Sequence, residues 1–430
     1  MNFPESVKYL MSLGNEVSTM KLGLENIRSL LRLLGDPQRA YVGVQIAGTN
    51  GKGSVCAFVG SIIKESKLKV GVMTSPHLID IRERIVIDGH PITEELFAEF
   101  ATTVRQAAEQ LAEGEGGRLP TFFEQITAIG AIAFKEHSVD IAVLETGLGG
   151  RLDAVTAFDA GFVGISRIAL DHQEYLGSTL FEIAGEKAAV IRRGSRAVIG
   201  LQCEEAMSVI LERCSHEEVS PVRVDLTDIS VTEAGLNGSL IRIKTARDEY
   251  RLRVALAGRH QVENAAITVL IAELLSQDGF PTIGKIEIER GIERAAHPGR
   301  METLNGVILD GAHNVSGAEA LGNHLRAAYD CKPIIIFGAM KDKDVRSMAE
   351  TLFPFAHKVI LTTPANSRAM NTDELAQIAR ELLGESDIEI TADIRSALTL
   401  ARSIVNGEVP ICVTGSLYLV GEARAALLAD

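Results

Sequence analysis

Short, unbroken apolar runs recur through the first half of the chain, at 41–47, 69–74, 140–145, 161–166 and 196–201. Runs of that length without alternation are strands buried on both faces, as in a parallel sheet. The intervening segments carry a helical period. One, over 93–112, sets Leu96, Phe100, Val104 and Leu111 on a single face. Another opens at Thr179 with Glu182 three places on, a capping box, and is expected to stop near Gly194. After Pro221 the period shortens to two. Ile241, Ile243 and Thr245, then Tyr250, Leu252, Val254 and Leu256, alternate with polar residues, and Leu236-Asn237-Gly238-Ser239 is a hairpin signal. That pattern predicts a small antiparallel sheet attached to the first domain, followed by a helix over 261–277. The stretch 294–298 reads as a boundary. Beyond it a second alternation begins, with strands at 307–310, 333–337, 358–362, 387–391 and 411–414. Helices are expected over 316–329, 345–352, 372–383, 394–405 and 417–428. The fold class is therefore α/β. A domain over 1–296 holds the parallel sheet and its small antiparallel companion, and a Rossmann-like α/β domain fills 297–430.

Composition narrows the function. With 430 residues, 46% hydrophobic and 23% charged, the chain reads as a soluble globular protein of two or more domains. The net charge of −14, without a long basic run, argues against wrapping nucleic acid. It leaves room for an anionic substrate in a local basic pocket. No apolar run reaches the roughly 18 residues of a membrane span. The first residues lack the layout of a signal peptide. Five scattered cysteines show no metal-ligand spacing and point to a reducing cytoplasm.

Between the first run and the next helical stretch lies Gly48-Thr49-Asn50-Gly51-Lys52-Gly53-Ser54. A strand, a glycine turn and a helix start aim backbone N–H groups and one ammonium at a single spot, which is how a chain holds phosphates. The general phosphate-loop pattern would place glycine at Ile46 and a hydroxyl at Gly53. Here the hydroxyl, Ser54, comes one place late.

Further polar clusters sit where the other strands end: Thr74-Ser75-Pro76-His77, Glu145 to Asp153, and Ser166 leading to Asp171-His172. Open α/β sheets bind ligands along that edge. A serine hydroxyl, a glutamate carboxylate and an imidazole there could hold hard divalent cations beside nucleotide phosphates. Lys187, taken alone, reads as a solvated helix lysine. The second domain contributes His297-Pro298-Gly299-Arg300 and Asp310-Gly311-Ala312-His313-Asn314, dense in hydrogen-bonding groups and able to face the phosphate loop across a cleft.

Taken together, these motifs resemble the folylpolyglutamate synthase/dihydrofolate synthase family of the Mur ligase superfamily. The resemblance runs from Leu22-Gly23-Leu24-Glu25 to Thr414-Gly415-Ser416-Leu417-Tyr418, and G-T-N-G-K-G-S is that family's own form of the loop. T-S-P-H-L, T-F-F-E, E-T-G-L-G-G-R-L-D, Asp171-His172, G-E-K, G-R-H-Q, H-P-G-R and D-G-A-H-N follow in family order. The resemblance implies that Asn50, Gly51, Lys52, Gly53 and Ser54 hold the ATP phosphates. Ser75 and Glu145 would hold one Mg²⁺, and Glu145 with His172 a second. It further implies a carbamylated Lys187, with Lys52, Lys187 and His313 as the catalytic groups. Asn264 would touch the nucleotide, and Arg300, Asp310 and His313 would reach it from the second domain. The loop Phe122-Phe123-Glu124, with Leu152-Asp153-Ala154, would line the pterin site.

The expected reaction is ATP-dependent amide formation between L-glutamate and dihydropteroate, folates, or both, through an acyl phosphate. A carboxylate is a poor acyl donor until its oxygen is phosphorylated. Phe122-Phe123 leans towards the bifunctional members; those that only polyglutamylate more often carry T-E-F-E. Peptidoglycan-precursor ligases share the logic but usually carry a further N-terminal domain, and only about forty residues precede the first strand here. A GTPase-like switch would need an N-K-x-D motif, which the sequence lacks. The family leans towards monomers.

Overall fold

The computed structural model describes residues 1–14, 23–114, 117–235, 238–405 and 409–429. Leu22 of the resemblance and Leu236-Asn237 of the expected hairpin turn lie outside the described residues. The chain divides into two compact units. The first comprises Met1–Ile229, Arg242–Leu252 and Glu263–Ala295, the second Ser230–Ile241, Arg253–Val262 and Ala296–Asp430.

The first unit is built on one mixed sheet. Its strands are β1 (Val42–Ala47), β2 (Val70–Met73), β3 (Ile85–Ile87), β4 (His90–Pro91), β5 (Ile141–Glu145), β6 (Phe162–Ile165), β7 (Arg196–Ile199) and β8 (Val222–Arg223). They lie in the order β4-β3-β2-β5-β1-β6-β7-β8. From β2 to β8 every pairing is parallel, while β3 and β4 form an antiparallel hairpin at one edge. The central strand β5 is buried along its whole length, which is why its sequence is apolar without alternation. Helices Lys52–Glu65, Glu94–Glu113 and Phe122–Glu136 belong to this unit. The last has only its final residues exposed among its fifteen, and its Ile129 and Phe134 join Phe97 and Leu144 in one core.

The smaller sheet has β9 (Asp228–Gly235), β10 (Gly238–Lys244) and β11 (Glu249–Val254) in the order β11-β10-β9. Ile241, Ile243, Tyr250, Leu252 and Val254 are its buried residues, so the period of two marks a one-sided sheet.

The second unit carries β12 (Glu302–Leu304), β13 (Val307–Leu309), β14 (Ile334–Phe337), β15 (Lys358–Leu361), β16 (Ile388–Ile390) and β17 (Ile411–Thr414), ordered β12-β13-β17-β14-β15-β16. All pairings are parallel except that of β12 with β13. Phe337 and Phe353 meet edge to face at 5.2 Å in its core.

Two expectations change. The helix capped by Thr179 ends at Ala188, not near Gly194, because Val190 and Ile191 turn off its end and bury themselves in the core. Phe122-Phe123-Glu124 is not a loop but the first turn of the helix Phe122–Glu136. Thr121 and Glu124 form a reciprocal capping box there.

Candidate active site

β2, β5, β1 and β6 are neighbours, so the four polar segments leaving their carboxyl ends stand side by side. The glycine loop follows β1. Gly48 and Gly51 have φ of 145° and 91°, in the region side chains avoid. A methyl at Gly48 would overlap Ser166 Oγ, and one at Gly51 would overlap Asn264 Oδ1. The loop is stitched to the exit of β6. The Thr49 and Asn50 N–H groups donate to Arg167 O at 2.9 and 3.2 Å, and Ala169 N donates to Thr49 Oγ1 at 3.1 Å. Helix Lys52–Glu65 then begins with Gly51 at its cap position and no side-chain capping bond. A helix start without a side-chain cap is an arrangement that suits an anion. Lys52 Nζ donates to Thr49 O at 3.1 Å, folded over the loop it belongs to. Gly53 and Ser54 are buried in the same turn. Asn264, also buried, stands on the helix His260–Gln277 with its amide against Gly51.

Glu145 closes β5 with 7% exposure, and its Oε2 accepts from Ser75 N at 3.1 Å. Ser75 is joined to Pro76 by a cis peptide. His172 follows Asp171 with Nε2 3.9 Å from Asp171 Oδ2. Among the described residues no group of three or more His, Cys, Asp or Glu side chains forms a ready metal site. Ser75 and Glu145 nevertheless fit Mg²⁺, which takes one or two carboxylates and completes its shell with water and phosphate oxygens.

Lys187 overturns its reading as a solvated lysine. Helix Leu180–Ala188 buries Ile183, Ala184, Lys187 and Ala188 together, and Lys187 Nζ donates to Gly48 O at 2.8 Å. Burial, reinforced by the charge of Lys52, lowers its pKa to about 7, against the pull of Asp171, Asp153 and Glu186.

The residues expected at the pterin site separate into two kinds. Phe122 is 3% exposed and belongs to the core, so only Phe123 of the pair is placed to touch a ligand. Phe123 packs over Gly147, where an added methyl would lie 2.7 Å from its Cζ. Glu124 Oε2 accepts from Thr121 N at 2.8 Å and from Asn26 Nδ2 at 3.4 Å. Its other oxygen, Oε1, is buried without a hydrogen-bond partner among the described residues. Asp153 caps its own turn, accepting from Leu148 N at 2.9 Å and Val155 N at 3.0 Å, with Leu152 and the buried Ala154 beside it.

In the second unit Asp310 ends β13. Its carboxylate accepts from Met301 N and Ala312 N, both at 3.0 Å. Burial raises its pKa, opposed by Arg300 and by those two bonds. Arg300 Nη1 donates to Gly311 O at 3.2 Å, and His313 Nδ1 donates to the same oxygen at 2.8 Å. His260 and His297 are pushed down to about 4 and about 3 by burial, then by Arg300. Both imidazoles are neutral at pH 7.

Sequence reasoning missed the Lys187–Gly48 bond, and also Arg84. Arg84 is buried, and its Nε donates to His77 Nδ1 at 2.8 Å. Within Ile81-Arg82-Glu83-Arg84 nothing distinguishes a buried arginine from a solvated one.

Known proteins match this architecture. The Mur ligase middle domain family matches residues 46–272, and the Mur ligase glutamate ligase domain family matches 299–417. The dihydrofolate synthase/folylpolyglutamate synthase of Bacillus subtilis is 33% identical over 419 residues, covering 95% of each chain. The folylpolyglutamate synthase of Lacticaseibacillus casei is 32% identical, covering 100% of this chain and 99% of its own. A solved structure of Mycobacterium tuberculosis folylpolyglutamate synthase complexed with ADP superposes with a TM-score of 0.91 at 29% identity. It covers 100% of this chain and 98% of that one.

Proposed function

The chain belongs to the Mur ligase family, in its folylpolyglutamate synthase/dihydrofolate synthase branch, and from that membership we infer an ATP-dependent ligase that adds L-glutamate to dihydropteroate and to folates. The observation that carries the reading is the adjacency of β2, β5, β1 and β6, which sets the phosphate loop beside a buried carboxylate.

We assign Asn50 to Ser54 and Asn264 to the ATP phosphates and nucleotide. In the second unit the assigned nucleotide groups are Arg300, Asp310 and His313. Ser75, Glu145 and His172 would hold Mg²⁺, two ions in all, supplying charge that screens phosphates from an incoming carboxylate. The uncapped helix start and Lys52 aim at the phosphates and stabilise charge as the γ-phosphoryl group moves to the acceptor's carboxylate oxygen, releasing ADP. The amine of glutamate then attacks the acyl carbon, and phosphate leaves. Lys187 suits carbamylation, since a buried amine with pKa about 7 is half neutral at that pH. The carbamate would turn a repelled cation into an anion. Phe123, the free oxygen of Glu124, and Leu152, Asp153 and Ala154 are the acceptor-side groups.

We propose a domain boundary between 296 and 297, within the gap between the family segments that end at 272 and begin at 299. Among the described residues no helix is long and apolar enough to cross a membrane. We take the enzyme to act on small molecules as a monomer, following the family's leaning, and to work in the cytoplasm, a reading that its five free cysteines suit.

The test is phosphate release from ATP and Mg²⁺, comparing 7,8-dihydropteroate plus L-glutamate with tetrahydrofolate plus L-glutamate. Glutamate-dependent release with both acceptors is expected. Release with the folate alone would leave the second reading, polyglutamylation only, the activity for which the similar Lacticaseibacillus casei protein is named. Silence with both would overturn the substrate assignment.

A further inference from the structure

The segment Thr74–His77 is held from two sides. On one, Ser75 N donates to Glu145 Oε2 at 3.1 Å. On the other, Thr74 N donates to Arg84 O at 3.3 Å, and Arg84 Nε donates to His77 Nδ1 at 2.8 Å. Arg84 is 4% exposed, and its guanidinium carbon lies 5.3 Å from the centre of the Phe122 ring. That distance is within cation–π range. Phe122 in turn opens the helix whose next residue, Phe123, covers Gly147. One buried arginine thus ties the strand end beside Glu145 to the aromatic turn.

This bond has a chemical consequence for His77. An Nδ1 that accepts from a guanidinium carries no proton, so the ring proton of the neutral imidazole sits on Nε2. Nε2 makes no hydrogen bond to any described residue. The intervening residues keep the loop in place independently of His77. Glu83 accepts from Leu78 N at 2.7 Å and Asp80 N at 3.0 Å, and Asp80 in turn pairs with Arg82. His77 is therefore left with one donor, in a segment bonded to Glu145 through Ser75 N and tied to the Phe122 turn through Arg84.

We propose that His77 Nε2–H donates to an oxygen of the acceptor's carboxyl group, between Glu145 and Phe123, and that Arg84 is the positioning residue that fixes this tautomer. The proposal rests on the ligase reading above. In that reading the acceptor lays its aromatic portion against Phe123 and brings its carboxyl group to ATP beside Glu145, and the segment Thr74–His77 is tied to both places, through Ser75 N and through Arg84. A neutral donor suits it, because it orients the oxygen without forming an ion pair that would lower the oxygen's nucleophilicity.

The test separates donor from bulk. In an amide side chain, glutamine's Nε2 falls near imidazole Nε2, whereas asparagine's amide falls near Nδ1. His77→Ala and His77→Asn are expected to raise the KM for the acceptor about tenfold or more, with the KM for ATP unchanged. His77→Gln should restore most of the loss. Two-bond ¹H–¹⁵N spectra of histidine-labelled wild-type protein should show His77 as the Nε2–H tautomer, and Arg84→Met should mix the tautomers. The proposal is overturned if His77→Gln is as impaired as His77→Ala, if the ATP KM moves with the acceptor KM, or if the wild-type tautomer is Nδ1–H. A wild-type enzyme silent with every acceptor would remove the ligase reading and this inference with it. A turning-over enzyme indifferent to His77 would remove the inference alone.

Discussion

The carboxyl edges of the two large sheets are built to opposite plans. In the first unit the helix after β1 starts at Gly51 and Lys52 with no side chain on its N–H groups. In the second, the helix after β13 starts at Asn314, whose Oδ1 accepts from Gly317 N at 2.8 Å. One helix start is left open for an anion; the other is closed by its own sequence. The closed edge offers side chains instead, with Asp310, Arg300 and His313 gathered around Gly311. If the assigned nucleotide groups hold, the two similar α/β layers divide the labour between main-chain and side-chain recognition.

Lys52→Ala strikes the open edge hardest. Among the described residues the Lys52 ammonium bonds only to its own loop, so folding should be nearly unchanged while turnover falls by about 10³-fold, the scale of losing a preorganised charge in the transition state. ADP release and a thermal melt on the same sample check both halves. A melting temperature that drops with the activity would show that the lysine supports the fold, and the contrast between the edges would fail.

Glu145→Gln is the next effect in size. The amide still accepts from Ser75 N but brings no charge, so the Mg²⁺ concentration for half-maximal rate should rise about 10–100-fold. A metal titration of the initial rate decides it. An unchanged midpoint would move the cation away from β5.

A smaller effect belongs to Lys187. Its amine has been lowered to about 7, chiefly by burial. As pH falls below that value the amine takes up a proton, and the neutral nucleophile that captures CO₂ declines about tenfold per unit. Carbamate occupancy should therefore rise as pH passes upward through 7. Carbon-13 spectra of protein in labelled bicarbonate would show it, and a signal of the same size well below pH 7 would contradict it.

The strands were legible because burial on both faces leaves an unmistakable apolar run, and β5 is the clearest case. The hairpin β3–β4 went unread although Asp88-Gly89 carries the turn signal, with φ of 50° and 84°. Its strands are too short to show a period. Thr121 and Glu124 form the same capping box as Thr179 and Glu182, yet the two phenylalanines between them suggested a ligand loop. At the site, the loop glycines and the strand-end positions were visible as local spacing. Lys187 and Arg84 were not, since what buries them lies far along the chain: Gly48 is 139 residues from Lys187. No local pattern records which face of a helix will be covered.

The closed edge offers the gentlest test. Asn314→Ala removes the acceptor for Gly317 N and opens that helix as the glycine loop opens the other. The loss should be about 1 kcal/mol, the usual value of an N-cap, read as a lowered denaturation midpoint in the second unit. Asn314→Asp keeps an oxygen in place and should recover the stability. If the cap serves only the fold, the KM for ATP stays at its wild-type value in both variants. A lower KM in Asn314→Ala would mean that freeing the N–H groups created a second anion site. The two edges would then differ by one side chain rather than by design of the whole turn.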